Sequence, residues 1–224
     1  AKRITKAFVK VLNVAKVNFG VLGIEESSSG DAAKRAGNEF LFQMQALSNI
    51  KIINNYNIRR IVTTCPHSFN TLKNEYKGLG GEYVVHHHTE FIENLIKDGS
   101  LKIKTNMIDK KITFHDPCYL GRSNGVYDAP RKLLESLHVD LVDMKRSRRN
   151  SFCCGAGGAQ MFKESETGSE DININRTKEA LELRPDIIAT ACPFCNTMMT
   201  DGVKSVDEGA ADVLDIAELI AINI

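Results

Sequence analysis

The chain has 224 residues and 42% hydrophobic content, enough for one sizeable core or for two small lobes that share an interface. Its 29 basic and 28 acidic residues leave a formal net charge of +1, which removes bulk charge as a means of holding nucleic acid or an anionic membrane. No stretch approaches the roughly 18–20 continuous apolar residues of a membrane span. The start, Ala1-Lys2-Arg3-Ile4-Thr5, is a charged helical pattern without the apolar region of a secretory signal. The chain therefore reads as soluble and cytoplasmic, and there six cysteines point to metal or redox chemistry before disulfides.

Along the chain, helical and strand signals alternate. Residues 3–15 place Ile4, Ala7, Phe8, Val11 and Leu12 at helical spacing. Phe19-Gly20-Val21-Leu22-Gly23 reads as a short buried strand, and residues 31–55 as one helix with Phe40, Met44, Leu47 and Ile50 on one side. Arg60-Ile61-Val62-Thr63-Thr64 is a strand leading into Cys65-Pro66. Lys111-Ile112-Thr113-Phe114 is a strand ending at His115-Asp116-Pro117-Cys118. Residues 130–138 are helical, and Asp186-Ile187-Ile188-Ala189-Thr190 is a strand ending at Ala191-Cys192-Pro193. Such alternation favours an α/β fold with mainly parallel strands.

The two halves also match each other at an offset of 127 residues: Ile61 falls on Ile188, Cys65 on Cys192, Pro66 on Pro193 and Ser68 on Cys195. Val85 falls on Val213 after a shift of one, and His88 falls on Asp215 without a shift. A fixed-offset self-match predicts two copies of one unit, here two lobes related by a pseudo-two-fold axis, each a small mainly parallel sheet flanked by helices. Residues 1–107 form the first unit and 108–224 the second, with the boundary in the polar stretch 104–111. The same offset puts the counterpart of Cys118 about nine residues before residue 1, so the first unit is expected to begin partway through its copy. Its counterpart of Cys153-Cys154 is Glu26-Ser27-Ser28-Ser29, which has no sulfur. Only Cys65 remains, and it reads as a buried inert thiol.

The second half supplies Cys118, then 34 residues, Cys153-Cys154-Gly155, then 37 residues from Cys154, and Cys192-Pro193-Phe194-Cys195. Each group follows a strand or opens a helix, and parallel strand ends lie along one edge where the groups can meet. Iron–sulfur clusters need several convergent thiolates. The glycines of Gly155-Ala156-Gly157-Gly158 allow backbone to approach a bulky inorganic group, and helix N-termini after Cys118 and Cys195 would favour thiolates. Two other readings stay open on the residues alone. Structural zinc fits adjacent cysteines and a fifth thiol poorly; a thioredoxin-type pair would use only Cys192 and Cys195.

Together, Cys118, Cys153-Cys154-Gly155 and Cys192-x-x-Cys195 at these spacings resemble the cysteine-rich "CCG" domain family. The family includes heterodisulfide reductase catalytic subunits, glycolate and lactate oxidase iron–sulfur subunits, and the anaerobic glycerol-3-phosphate dehydrogenase anchor subunit. It also includes iron–sulfur reductases associated with electron-transfer flavoprotein, which His115-Asp116-Pro117-Cys118-Tyr119-Leu120-Gly121-Arg122 and Cys153-Cys154-Gly155-Ala156-Gly157-Gly158 resemble most. The resemblance spans the whole chain, as two tandem units. It implies a [4Fe–4S]-type cluster in each intact unit, the non-cubane kind using all five cysteines being one form. That makes one cluster in this chain, on Cys118, Cys153, Cys154, Cys192 and Cys195. It further implies an oxidoreductase subunit that relays electrons between a flavoprotein or ferredoxin-like partner and quinone or another acceptor, with membrane association only through a partner. A catalytic disulfide reductase and a non-redox zinc or scaffold protein are the alternatives. The first unit departs from the pattern, with Ser28 (or Ser27) and Ser68 at cysteine positions.

His86-His87-His88 is expected to be structural at a strand end, and His67 to face the interface between the lobes. His115 is either a donor beside the cluster or a core residue. Arg122 either shields cluster charge or pairs at the surface. Lys145, Arg146, Arg148 and Arg149 read as a solvated basic loop.

Overall fold

A computed structural model of the chain describes every residue except 105, 106, 108, 165 and 166. In chain order the elements are α1 (Lys2–Val14), α2 (Asp31–Arg35), α3 (Glu39–Asn55), β1 (Arg60–Thr63), α4 (Pro66–Asn70), β2 (Val84–His87) and α5 (His88–Lys97). They continue with β3 (Lys111–Phe114), α6 (Asp128–Glu135), β4 (Asp140–Leu141), α7 (Ile172–Glu182), β5 (Ile187–Thr190), α8 (Pro193–Val206), β6 (Asp212–Asp215) and α9 (Ile216–Ile222). The class is α/β: a two-stranded sheet β1-β2 and a four-stranded sheet β4-β3-β5-β6, every pair parallel, with helices on their flanks. The expected boundary at 104–111 lies partly outside the described residues.

Local sequence explains most of these elements. Ile4, Phe8, Val11 and Leu12 form one buried stripe on α1, the spacing of an amphipathic helix. The stripe packs on α9 at the other end of the chain. Arg3 Nη2 donates to the Val213 carbonyl at 2.9 Å and Lys10 Nζ to the Ala221 carbonyl at 2.6 Å. At β1 and β5 the chain leaves the sheet through a cysteine N-cap and a proline at the first helical turn, Cys65-Pro66 and Cys192-Pro193. β5 is buried along its whole length, as a central parallel strand covered on both faces should be.

Three expectations need correction. Residues 19–23 are not a strand: Val21 is 77% exposed, and the only regular structure is a single 3-10 turn at Gly23–Glu25. Two glycines and a serine-rich continuation give this segment no partner strand to pair with. The helix expected over 31–55 is two helices, broken at Gly37, whose φ of 84° lies in the left-handed region. Asn38 then caps α3, accepting from the Leu41 amide at 3.0 Å. On α3, Phe40, Met44 and Leu47 face outward, while Phe42, Ala46, Asn49, Ile50 and Ile53 are buried. α3 is apolar on both sides, so periodicity alone could not choose the inward one.

The internal match is visible in the strand registers. Ile61 pairs with Val85, and Ile188 with Val213. Thr63 pairs with His87, and Thr190 with Asp215. The counterpart of Asp215 is therefore His87 and not His88, because one more residue separates β5 from β6 than β1 from β2. Both positions head a capping box: the His87 amide donates to Glu90 Oε2 at 3.3 Å and the Asp215 amide to Glu218 Oε2 at 2.9 Å. His88 instead meets Asp215 directly, Nε2 to Oδ1 at 3.0 Å, both fully buried. One apolar core runs through both halves and includes Phe8, Ile92, Phe114, Leu134, Ile187 and Leu219.

Candidate metal centre

Beyond each of β3, β5 and β1 the chain reaches a cysteine within a few residues. Just past their C-terminal ends stand Cys118, Cys192 and Cys65, and the loop carrying Cys153 and Cys154 folds over the ends of β3 and β5. Cys154 Sγ lies 3.3 Å from Cys195 Sγ. Side-chain hydrogen bonds connect Cys118 with Cys153, Cys153 with Cys154, Cys195 with Cys192, and Cys192 with Cys65. Six sulfurs thus form one continuous string, and the five cysteines singled out from their spacing are all in it. Cys65, read from sequence as inert, is the sixth member.

Neighbouring sulfurs cannot all ionise, and the environment sorts them. Hydrogen bonds from Cys118 and Cys154 hold Cys153 below the usual thiol range, against the effect of burial; the Gly155 amide also donates to its sulfur at 3.3 Å. Burial opposes ionisation of Cys192, but hydrogen bonds with Cys195 and Cys65 pull it below the usual range. Cys118, Cys154, Cys195 and Cys65 are pushed up, first by those same shared protons and then by burial. The helix expected after Cys118 is absent; residues 118–124 are successive turns, with the Gly121 amide donating to the Pro117 carbonyl at 2.9 Å. Arg122 supplies the nearby positive charge instead: its guanidinium favours the Cys118 thiolate and donates to the Ser151 carbonyl.

His115 is fully enclosed and, with Cys154 and Cys195, offers ligand atoms all within 4.8 Å of one another. Its tautomer follows from a neighbour. Arg176 Nε donates to His115 Nδ1 at 3.1 Å, and arginine has no lone pair to give, so the imidazole proton sits on Nε2. Burial, then the Arg176 charge, lowers the imidazole pKa to about 3, so the ring stays neutral. The Nδ1 lone pair of His115 is thus taken by Arg176, and the neutral ring carries its proton on Nε2.

Arg176 itself is wholly buried. It is held by Glu179 at 2.8 Å and the Arg146 carbonyl at 2.9 Å, and its Nη2 is left without a hydrogen-bond partner among the described residues.

Around this lies a polar frame that spacing did not reveal. Asp116 takes a bidentate pair from Arg131, at 2.7 and 2.9 Å, and accepts the Arg148 amide at 2.8 Å. Arg146 bonds Glu179 at 2.8 Å and lies 3.8 Å over the Phe152 ring. The basic run at 145–149 is therefore not simply a solvated loop: Arg146 and Arg148 bind the cysteine-pair loop to β3 and α7. Gly155 turns at φ 90°, and a Cβ there would come 3.2 Å from Ile172 Cβ.

In the first half, the positions matching the missing cysteines are filled by hydrogen-bonded oxygens and nitrogens. Ser68 Oγ donates to Ser29 Oγ at 3.4 Å, Ser27 Oγ to Asn49 Oδ1 at 2.7 Å, and Asn49 Nδ2 to the Ser28 carbonyl at 2.8 Å and to Tyr76 Oη at 2.9 Å. His67 bonds the buried Asp31, Nδ1 to Oδ2 at 2.8 Å, and packs its ring on Tyr119 and Phe194 of the second half. His86, His87 and His88 take strand and capping positions, as a structural reading requires.

A string of thiols, three buried and three half-buried, past the C-terminal ends of parallel strands defines a cysteine-rich fold. The family model described as "CCG: Cysteine-rich domain" matches residues 1–73 and 112–200, and the chain belongs to that family. It is 43% identical over 98% of its length to an EtfAB:quinone oxidoreductase of Syntrophomonas wolfei, covering 32% of that protein. It is 46% identical over 99% of its length to a probable iron-sulfur-binding oxidoreductase FadF of Bacillus subtilis, covering 31%. It is 34% identical over 95% of its length to a dihydromethanophenazine:CoB--CoM heterodisulfide reductase component of Methanosarcina barkeri, covering 53%. The chain thus spans about a third of the first two relatives and about half of the third.

Proposed function

We propose that this chain is the cluster-binding part of an iron–sulfur oxidoreductase, with one [4Fe–4S] cluster on Cys118, Cys153, Cys154, Cys192 and Cys195. The observation that carries the reading is the unbroken string of buried and half-buried thiols. Its donor set suits iron–sulfur chemistry better than zinc. A zinc tetrahedron takes four ligands, whereas six thiols are linked in one string here, and the His115 Nδ1 lone pair is taken by Arg176. The unmet N–H of the buried Arg176 suits a site that holds an anionic group. Such a cluster stores and passes single electrons. The protein's part is to hold the thiolates, aim the Gly155 N–H at sulfur, and keep water away.

The partners that fit are a flavoprotein or ferredoxin-like donor and a quinone or other acceptor, as the names of the quinone oxidoreductase and the heterodisulfide reductase relatives suggest. Among the described residues no helix is long and apolar enough to cross a membrane. We place the domain on the cytoplasmic side, with any membrane attachment made through other parts or partners. The heterodisulfide reductase relative favours a second reading, reduction of a disulfide at the centre.

Anaerobic purification with iron and acid-labile sulfide analysis, beside Cys153→Ala, tests the first reading. A brown wild type with iron and sulfide, and loss of both in the variant, is expected. A colourless wild type containing zinc would sink it. Adding a thiol or disulfide should perturb the electron paramagnetic resonance signal only if the second reading holds.

A further inference from the structure

The sulfur string does not end in the second half. We propose that Cys65, donated by the first half, is a sixth sulfur ligand of the centre, so that the complete site exists only where the two halves are docked. This rests on the iron–sulfur reading above and extends it to a residue outside the five-cysteine motif.

Several independent contacts carry the inference. Cys65 shares a hydrogen bond with Cys192, its counterpart at the offset of 127. The residues just before these two cysteines, Thr64 and Ala191, both bring backbone near the ring of the fully buried His87. Two residues beyond Cys65, the His67 ring lies 4.3 Å from that of Tyr119 and 5.3 Å from that of Phe194, the residues next to Cys118 and Cys195. Asp31 holds His67 there. Farther out, Asn124 Nδ2 donates to Asn70 Oδ1 at 3.2 Å and Asn74 Nδ2 to Asn124 Oδ1 at 3.0 Å, closing the seam over the centre.

Within residues 1–107 Cys65 is the one cysteine, and Ser27, Ser28, Ser29 and Ser68 stand at positions that match thiols of the second half. Its sulfur partner is in the other half. Thiolates on one metal ion, with bonds of about 2.3 Å in a tetrahedron, come within contact distance of each other, as Cys154 and Cys195 of this string do at 3.3 Å. Ligation needs no redox step: the thiol releases its proton to solvent, and a sulfur lone pair binds iron.

The test compares alkylation of each cysteine by iodoacetamide in the anaerobically purified protein and after iron is stripped by a chelator, read by peptide mass mapping. Cys65 is expected to be protected at least about ten-fold in the loaded protein, alongside the five motif cysteines. In Cys65→Ala, iron should leave to bathophenanthroline roughly ten-fold or more faster, within the range for disturbed metal surroundings, and the paramagnetic resonance spectrum should change while circular dichroism does not. Cys65→Ser should restore part of the retention. If wild type holds iron and sulfide but Cys65 reacts equally fast before and after stripping, the proposal is overturned and the five-cysteine reading stands. Wild-type spectrum and iron retention in Cys65→Ala would overturn it in the same way. A wild type without iron or sulfide overturns both.

Discussion

Arg131 and Asp116 show how much of the site depends on single buried contacts. The pair is bidentate and only 4% and 2% exposed, and Asp116 sits two residues before Cys118. Arg131→Met would leave a buried carboxylate with only the Arg148 amide, and breaking such a pair costs about 3–5 kcal/mol. Urea unfolding followed by circular dichroism should show a loss of that size. Glu179 makes a pH-dependent contribution. Burial works to raise its pKa, but the Arg146 amide and the Arg176 charge win, and the carboxyl lies below its usual value of 4.5. A depressed carboxyl stabilises fully above the unfolded value and loses that contribution as pH falls through the folded one. The stability gap between wild type and Glu179→Gln should therefore be largest above about pH 5 and shrink on acidification below 4.5. A gap that stayed constant from pH 7 to pH 3 would show that the carboxylate charge does not matter.

Among the elements, the loop from Ser151 to Gly158 has the least regular backbone and the most chemistry. It is held by Arg122 and Asp116 at its start, and by the left-handed turn at Gly155 against α7. Gly155→Ala would force a side chain into that turn and against Ile172, at roughly 1–2 kcal/mol for the backbone alone. Thermal unfolding should move down accordingly, and the reconstituted protein should hold less iron per chain, since the same turn aims the Gly155 amide at Cys153. The helices were easier to anticipate. The apolar stripe of α1 and the Cys-Pro starts of α4 and α8 are local patterns, and local patterns survive folding. The face of α3 was not legible: Phe40, Met44 and Leu47 are as apolar as the residues on its buried side, and only the placing of Tyr76 and Ile50 in one cluster decides between them.

At the scale of the whole molecule, the halves are interleaved. α1 belongs to the first half by sequence yet buries its stripe on α9, and the central core draws on both halves. Fully burying each of Ile4, Phe8, Val11 and Leu12 stabilises by about 1.5–3 kcal/mol, and residues 1–107 alone would forfeit most of this. A fragment of residues 1–107 should therefore show little helical circular dichroism and no cooperative thermal transition, whereas the intact chain unfolds in one step. A fragment with the native-like spectrum of an independent domain would contradict that picture.

What the sequence determined by itself was whatever repeats or is read locally: alternating strands and helices, two related halves, and five cysteines at spacings that bring them to strand ends. Only the tertiary structure decided that Cys65 stands beside Cys192, that His115 is paired with the buried Arg176, and that the basic run near residue 146 is a structural clamp. Each of these depends on a partner far away in the chain. Contact between the halves is set by packing of their surfaces, and no periodicity or spacing within one half encodes it.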